Sequence, residues 1–173
     1  MPSAHDPQGP IKVAYLTYRG KPHVGGQGVY TRHLTKALVD LGHSVEVFGG
    51  QPYPVLDPRV ALTKLPSLDL INDHYPFRFP AIWELKTRED FYELGLFLTG
   101  TFAEPAAFSA RVKRHLSKRT GEFDLVHDNQ CLGWDILKIE KIIPTIVTLH
   151  HPITKDRELE MSHAPNWWKR RSV

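Results

Sequence analysis

Three consecutive runs constrain the fold more than anything else in the chain: IKVAYLTY at residues 11–18, the glycine cluster HVGGQGVY at 23–30, and SVEVFGG at 44–50. The first is apolar at nearly every position and rich in strand formers, as a strand covered on both faces is. Beyond the glycines, Tyr30, Leu34, Ala37, Leu38 and Leu41 recur at three- and four-residue spacing, and Gly42 follows where a left-handed cap would close a helix. The spacing predicts an amphipathic helix over residues 29–41. SVEVFGG then supplies a second strand, and strand, helix and strand within about forty residues imply a crossover between parallel neighbours. The architecture is α/β.

The same reading extends downstream. VALTKL is a third strand, DHYPFRFP a proline-broken loop, and residues 88–98 a helix. Another helix starts with Pro105 in its first turn and runs to about Arg119, with Phe108, Val112 and Leu116 as its apolar stripe. FDLVHDN and PTIVTLHH are two more short strands ending abruptly in polar residues, with a helix over residues 132–141 between them. On the second long helix Arg111, Arg114 and Lys118 form a basic face opposite the stripe, expected to be solvated or to touch anionic lipid or an acidic partner.

Length and composition bound the function. With 173 residues, 41% of them hydrophobic, the chain can close a single-domain core. The opening MPSAHDPQGP lacks both a basic start and an apolar run, so residues 1–10 read as a frayed tail rather than a signal peptide. The single Cys131 fits a reducing compartment, and a cytoplasmic protein is expected. A net charge of +3 is too small for a nucleic-acid binder and compatible with anionic ligands.

In an open parallel sheet, ligands bind beyond the carboxyl ends of the strands. The candidate site is therefore built from RGKPHVGGQG after the first strand, HDNQ after FDLV and HHPITKDR after TIVTL. Gly25, Gly26 and Gly28 offer bare backbone N–H groups to a phosphate at a helix start, where side chains would hold the oxygens away. A tight turn with close helix packing explains the same glycines, and both explanations stay open. The dinucleotide pattern G-x-G-x-x-G breaks at Thr31, there is no G-x-x-x-x-G-K-[ST], and FGG ends the second strand where a ribose-binding acid would stand. His150 and His151 are neighbours at a strand end, so they point to opposite faces and cannot readily chelate one metal, although one should face the cleft. Among His127, Asp128 and Asn129, Asp128 is the expected ligand-facing acid. Lys86, Arg88 and Arg157 are either anion contacts or surface charges. No G-x-S-x-G nucleophile pattern occurs.

Taken in order, YLTYRG, GGQGVY, HLTKALVDLGHSVEVF, FDLVHDN and TIVTLHHP resemble the start of a retaining glycosyltransferase of family 4 over most of residues 11–157. The resemblance implies a GT-B fold, of which residues 11–173 would be the N-terminal, acceptor-side half: a Rossmann-like doubly wound parallel sheet with helices on both faces. The domain that binds the nucleotide sugar through an E-x-x-x-x-x-x-x-E motif would lie beyond Val173, together with the last strands of this domain, and the fragment alone would be inactive. It assigns Gly25 and Gly26 to the donor diphosphate and, rather than His151, His150 to the donor sugar near the reacting carbon; from the strand-end loops themselves, Asp128, Asn129, His151 and Arg157 are expected to line the cleft or the acceptor site. The nucleotide sugar is a co-substrate, and no metal or other cofactor is implied. Expected partners are that donor, an acceptor and the missing domain, with peripheral membrane contact and a homodimer through an apolar flank near Trp167 and Trp168 also open. The alternative reading is a non-catalytic α/β module that binds a phosphorylated metabolite.

Overall fold

The computed structural model describes residues 9–21, 26–70 and 78–150. Strands β1 (Lys12–Thr17), β2 (Ser44–Gly49), β3 (Ala61–Lys64), β4 (Leu125–Asn129) and β5 (Thr145–Thr148) form one sheet in the order β3-β2-β1-β4-β5, every neighbouring pair parallel. The chain winds outward from β1 through β2 to β3, then returns to β4 on the other side of β1. The strand order therefore reverses between β1 and β4, and a crevice opens there at the carboxyl ends.

Helices α1 (Gly26–Asp40), α2 (Arg88–Leu98), α3 (Ala103–Leu116) and the single turn α4 (Ile136–Ile139) complete the described elements. The period-two alternation of β1 divides the core between two faces. Val13 and Tyr15 point to one side with Val45 and Val47, where Leu34 and Leu38 of α1 cover them. Ala14 and Leu16 point to the other with Phe48 and Val126, under Phe108, Val112 and Leu116 of α3 and Ile136 and Ile139 of α4. This is the doubly wound Rossmann-like sheet that the family resemblance implied.

Helix α1 ends as Gly42 predicts. Gly42 takes φ +92°, its N–H donates to the Val39 carbonyl at 3.0 Å, and His43 N–H donates to the Leu38 carbonyl at 3.0 Å. That pair of bonds is a Schellman cap. α2 coincides with the expected 88–98, held at its start by Thr87, whose hydroxyl accepts from Asp90 N–H while the Asp90 carboxylate accepts from Thr87 N–H.

Two expectations fail. The helix over 132–141 shrinks to four residues because Gln130 and Leu132 both adopt positive φ, so the chain leaves β4 through two left-handed corners before it can coil. The solvated basic face on α3 is overturned at Arg111, which is 3% exposed and donates from Nη2 to Asp90 at 2.7 Å and to Glu93 at 2.6 Å on α2. Arg114 pairs with Glu89 of the same helix at 2.9 Å. Much of that charge is thus satisfied by α2.

Candidate functional site

Site geometry begins with the turn that follows β1. Thr17 is buried, and its hydroxyl donates to the Arg19 carbonyl at 3.3 Å. Backbone packs against this turn from two directions. A Cβ on Gly28 would lie 2.0 Å from the Lys21 carbonyl oxygen, and one on Gly50 would lie 2.2 Å from that of Tyr18. Gly28 is therefore the packing glycine of the loop, and its backbone is buried rather than offered to a ligand. Gly26 is different: it opens α1, is exposed, and among the described residues a Cβ there meets nothing within 4 Å. The first turn of α1 contains no acidic residue, so no carboxylate of that turn competes with an anion for its N–H groups. Gly25 lies outside the described residues.

Beside this helix start, three elements are joined by one chain of hydrogen bonds. The Asn129 amide nitrogen, at the end of β4, donates to the Thr31 hydroxyl at 3.2 Å, and that hydroxyl donates to the Gln27 carbonyl at 2.7 Å. The Asn129 carbonyl oxygen faces His150 Nε2 at 2.6 Å. Because Asn129 uses its amino group on Thr31, the oxygen must accept, and His150 must carry its proton on Nε2. In the neutral ring, Nδ1 is then the acceptor nitrogen. The His150 backbone N–H donates to the Gln130 side-chain oxygen at 2.8 Å, and the Tyr30 ring meets the imidazole edge-on at 4.9 Å. His150 is exposed while its orientation is fixed from three sides.

Strand alternation decides the rest of HDNQ. Asp128 points away from Asn129, is 0% exposed, and accepts backbone N–H bonds from Cys131 at 3.1 Å and Leu132 at 3.4 Å. Burial raises its pKa despite those bonds. It shapes the left-handed corner after β4 and does not line the crevice. His127 is also buried: its Nε2 bonds the Thr148 hydroxyl at 2.7 Å, its ring stacks obliquely on Tyr15 at 4.8 Å, and burial lowers its pKa. The polar end of β4 thus presents Asn129 to the site and keeps its neighbours for the core.

Sequence reasoning missed Thr31, Tyr30 and Gln130. In the sequence Thr31 only breaks a nucleotide fingerprint, yet it is the residue that anchors Asn129. The spacing puts Tyr30 on the apolar stripe of α1, but it is 37% exposed against His150. His151 and Arg157 lie outside the described residues, as do Trp167 and Trp168. Among the described residues no group of three or more His, Cys, Asp or Glu side chains could hold a metal ion, and no helix is long and apolar enough to cross a membrane.

Comparison with known proteins places this geometry in context. The sequence profile of Glycosyltransferase Family 4 matches residues 24–173. The chain is 55% identical over 162 residues to the MMP alpha-(1->4)-mannosyltransferase of Mycolicibacterium hassiacum, an alignment that covers 92% of this chain and 39% of that protein. The chain thus spans well under half the length of that relative.

Proposed function

The chain belongs to Glycosyltransferase Family 4, and on that premise we propose that it forms the acceptor-side half of an enzyme that moves a mannosyl group from a nucleotide sugar to an acceptor hydroxyl. Retention of the anomeric configuration is part of the proposal. So is the need for a second domain to bind most of the donor, which would leave residues 1–173 inactive alone.

The observation that carries this reading is the hydrogen-bonded run Thr31–Asn129–His150 beside the open start of α1. Breaking the bond between the anomeric carbon and the diphosphate leaves positive charge on the sugar ring and negative charge on the departing oxygen. Backbone N–H groups at Gly26, backed by the dipole of a fifteen-residue helix, are suited to the negative end. His150, fixed by Asn129, Gln130 and Tyr30, sits where it can hydrogen-bond the sugar and orient its reacting carbon. Preorganisation of this kind supplies rate without movement at the moment of reaction.

The test is nucleotide release from a panel of sugar nucleotides by the complete polypeptide, followed by anomeric analysis of the product. A mannose-bearing donor should be preferred, and His150→Ala should lower kcat by about 100-fold, the typical loss on removing one preorganised polar contact. Full activity in His150→Ala would remove the residue from the mechanism.

A further inference from the structure

The sense of every hydrogen bond in the run beside α1 is set at its buried end. Thr31 makes the bond that a helical threonine makes readily, back to the carbonyl one turn earlier. The Gln27 carbonyl can only accept, so the Thr31 hydroxyl, 2.7 Å away, commits its single hydrogen there. What it offers to Asn129, at 3.2 Å, is lone pairs alone. The Asn129 atom facing it must then be the amide nitrogen, because a reversed amide would set oxygen against oxygen with no hydrogen between them. Asn129 therefore turns its own oxygen to His150 Nε2 at 2.6 Å, and that nitrogen brings the hydrogen. A backbone carbonyl that cannot change its role thus dictates the tautomer of an imidazole that can.

Burial makes the constraint firm. Thr31 and Asn129 are both 0% exposed, so water is not at hand to satisfy a reversed partner. At the other end the His150 ring is exposed, and among the described residues no group bonds its Nδ1. The neutral ring can accept one hydrogen bond there and has none to donate. A hydroxyl suits it. A carboxylate, a phosphate oxygen or an ether has no hydrogen to bring.

We infer that Thr31, buried behind the crevice, is a positioning residue for the donor sugar: through Asn129 it holds His150 in the Nε2–H tautomer, so that the group recognised at Nδ1 is a hydroxyl presenting its hydrogen. The inference rests on the transferase reading above and adds the polarity of the sugar contact and the residue that enforces it. Thr31→Val keeps the shape of the side chain and removes the oxygen. Asn129 can then turn either way, and with its nitrogen toward His150 the opposite tautomer, with the hydrogen on Nδ1, is favoured.

The test uses the complete polypeptide with isotope-labelled histidine at about pH 8.5, above the ordinary imidazole range. The NMR shifts of the two ring nitrogens report which one carries the hydrogen, and His150→Ala identifies the His150 signals. Wild type should show the Nε2–H tautomer alone, Thr31→Val should bring in the Nδ1–H tautomer, and Thr31→Ser, which restores the hydroxyl, should remove it. With the sugar nucleotide preferred in the panel above, kcat/KM should fall about tenfold in Thr31→Val and recover in Thr31→Ser, with acceptor KM changed less than about twofold. Among versions of that donor lacking one sugar hydroxyl each, one should lose at least about tenfold in wild type and less than about threefold in Thr31→Val. Thr31→Ala, which adds no bulk to the buried site, takes the place of Thr31→Val if the latter does not fold. A wild-type ring with its hydrogen on Nδ1, a tautomer unmoved by loss of the Thr31 hydroxyl, or hydroxyl deletions equally costly in both proteins would overturn the inference and leave the transferase reading intact. If the wild type turns over no sugar nucleotide, the transferase reading fails by itself. The tautomers of wild type and Thr31→Val then decide whether Thr31 governs His150: a shift between them supports it, and identical tautomers overturn it.

Discussion

Gly26 and Gly28 stand two residues apart in one loop and carry different burdens. A side chain at Gly28 would drive into the Lys21 carbonyl, which is backbone and cannot swing aside. Gly28→Ala should therefore lose about 2–3 kcal/mol in chemical denaturation, as forced overpacking does. Gly26→Ala, at the first residue of α1, points into open space among the described residues and should be neutral or gain at most about 1 kcal/mol. Glu104 gives a second prediction at this scale. Burial raises its pKa to about 7, outweighing the Arg19 guanidinium that favours the charged form. The unfolded carboxyl titrates near about 4.3, so between those values the folded chain holds the extra proton, and its stability is highest below the window and falls as pH rises through it. Compared with Glu104→Gln, the wild type should lose up to about 3 kcal/mol in unfolding free energy between pH 4.5 and 7.5. A constant difference across that range would refute the assignment. Sequence alone made the glycines and the strand-end histidine legible, because backbone freedom and strand termination are local properties. It could not separate Gly26 from Gly28, since what distinguishes them is the turn at residues 20–21 seated against one and not the other. Nor could it choose Asn129 over Asp128, because the face a strand presents depends on which helix covers it.

Among elements, the contact between α2 and α3 is where a pattern argument misled. Periodicity correctly finds the apolar stripe of α3 and puts Arg111 on the opposite face, expected to be solvated or to touch anionic lipid or an acidic partner. The residue is instead enclosed with Asp90 and Glu93, whose carboxylates come from a helix about twenty residues away in sequence. The pKa of Glu93 is raised because burial exceeds the help it receives from Arg111. Burial also opposes the charge on Asp90, but bonds from Arg111 and Thr87 together overcome it and lower the pKa. A cation shared by two buried carboxylates cannot be removed cheaply. Arg111→Ala should cost about 3–5 kcal/mol by calorimetry or denaturant titration, the range found when one partner of a buried ion pair is deleted. A loss below about 1 kcal/mol would mean that the group is solvated, as the sequence pattern suggested. Local signals did better elsewhere: the left-handed Gly42 closes α1 where it was expected, and α2 keeps its expected bounds. At α4 the positive φ angles of Gln130 and Leu132 defeated the periodicity, and neither residue type announces such a corner.

For the molecule as a whole, the sheet order places the strand reversal between β1 and β4, and this is what converts scattered polar loops into one edge. α1 opens on one side of the β1 turn with Asn129 and His150, while a cavity around Arg19 and Glu104 opens on the other. The fold was readable from the alternation of buried strands and amphipathic helices. The cavity was not, because its walls come from segments that look like unremarkable loop and helix-end residues until α2 and α3 fold back over β1. The central claim is that the exposed start of α1 faces the donor diphosphate. The direct test is transfer by the complete polypeptide carrying Gly26→Trp, at an exposed position where a Cβ meets nothing within 4 Å among the described residues. The account predicts an unchanged melting temperature with kcat/KM reduced at least about 100-fold; kcat/KM within about threefold of wild type would contradict it.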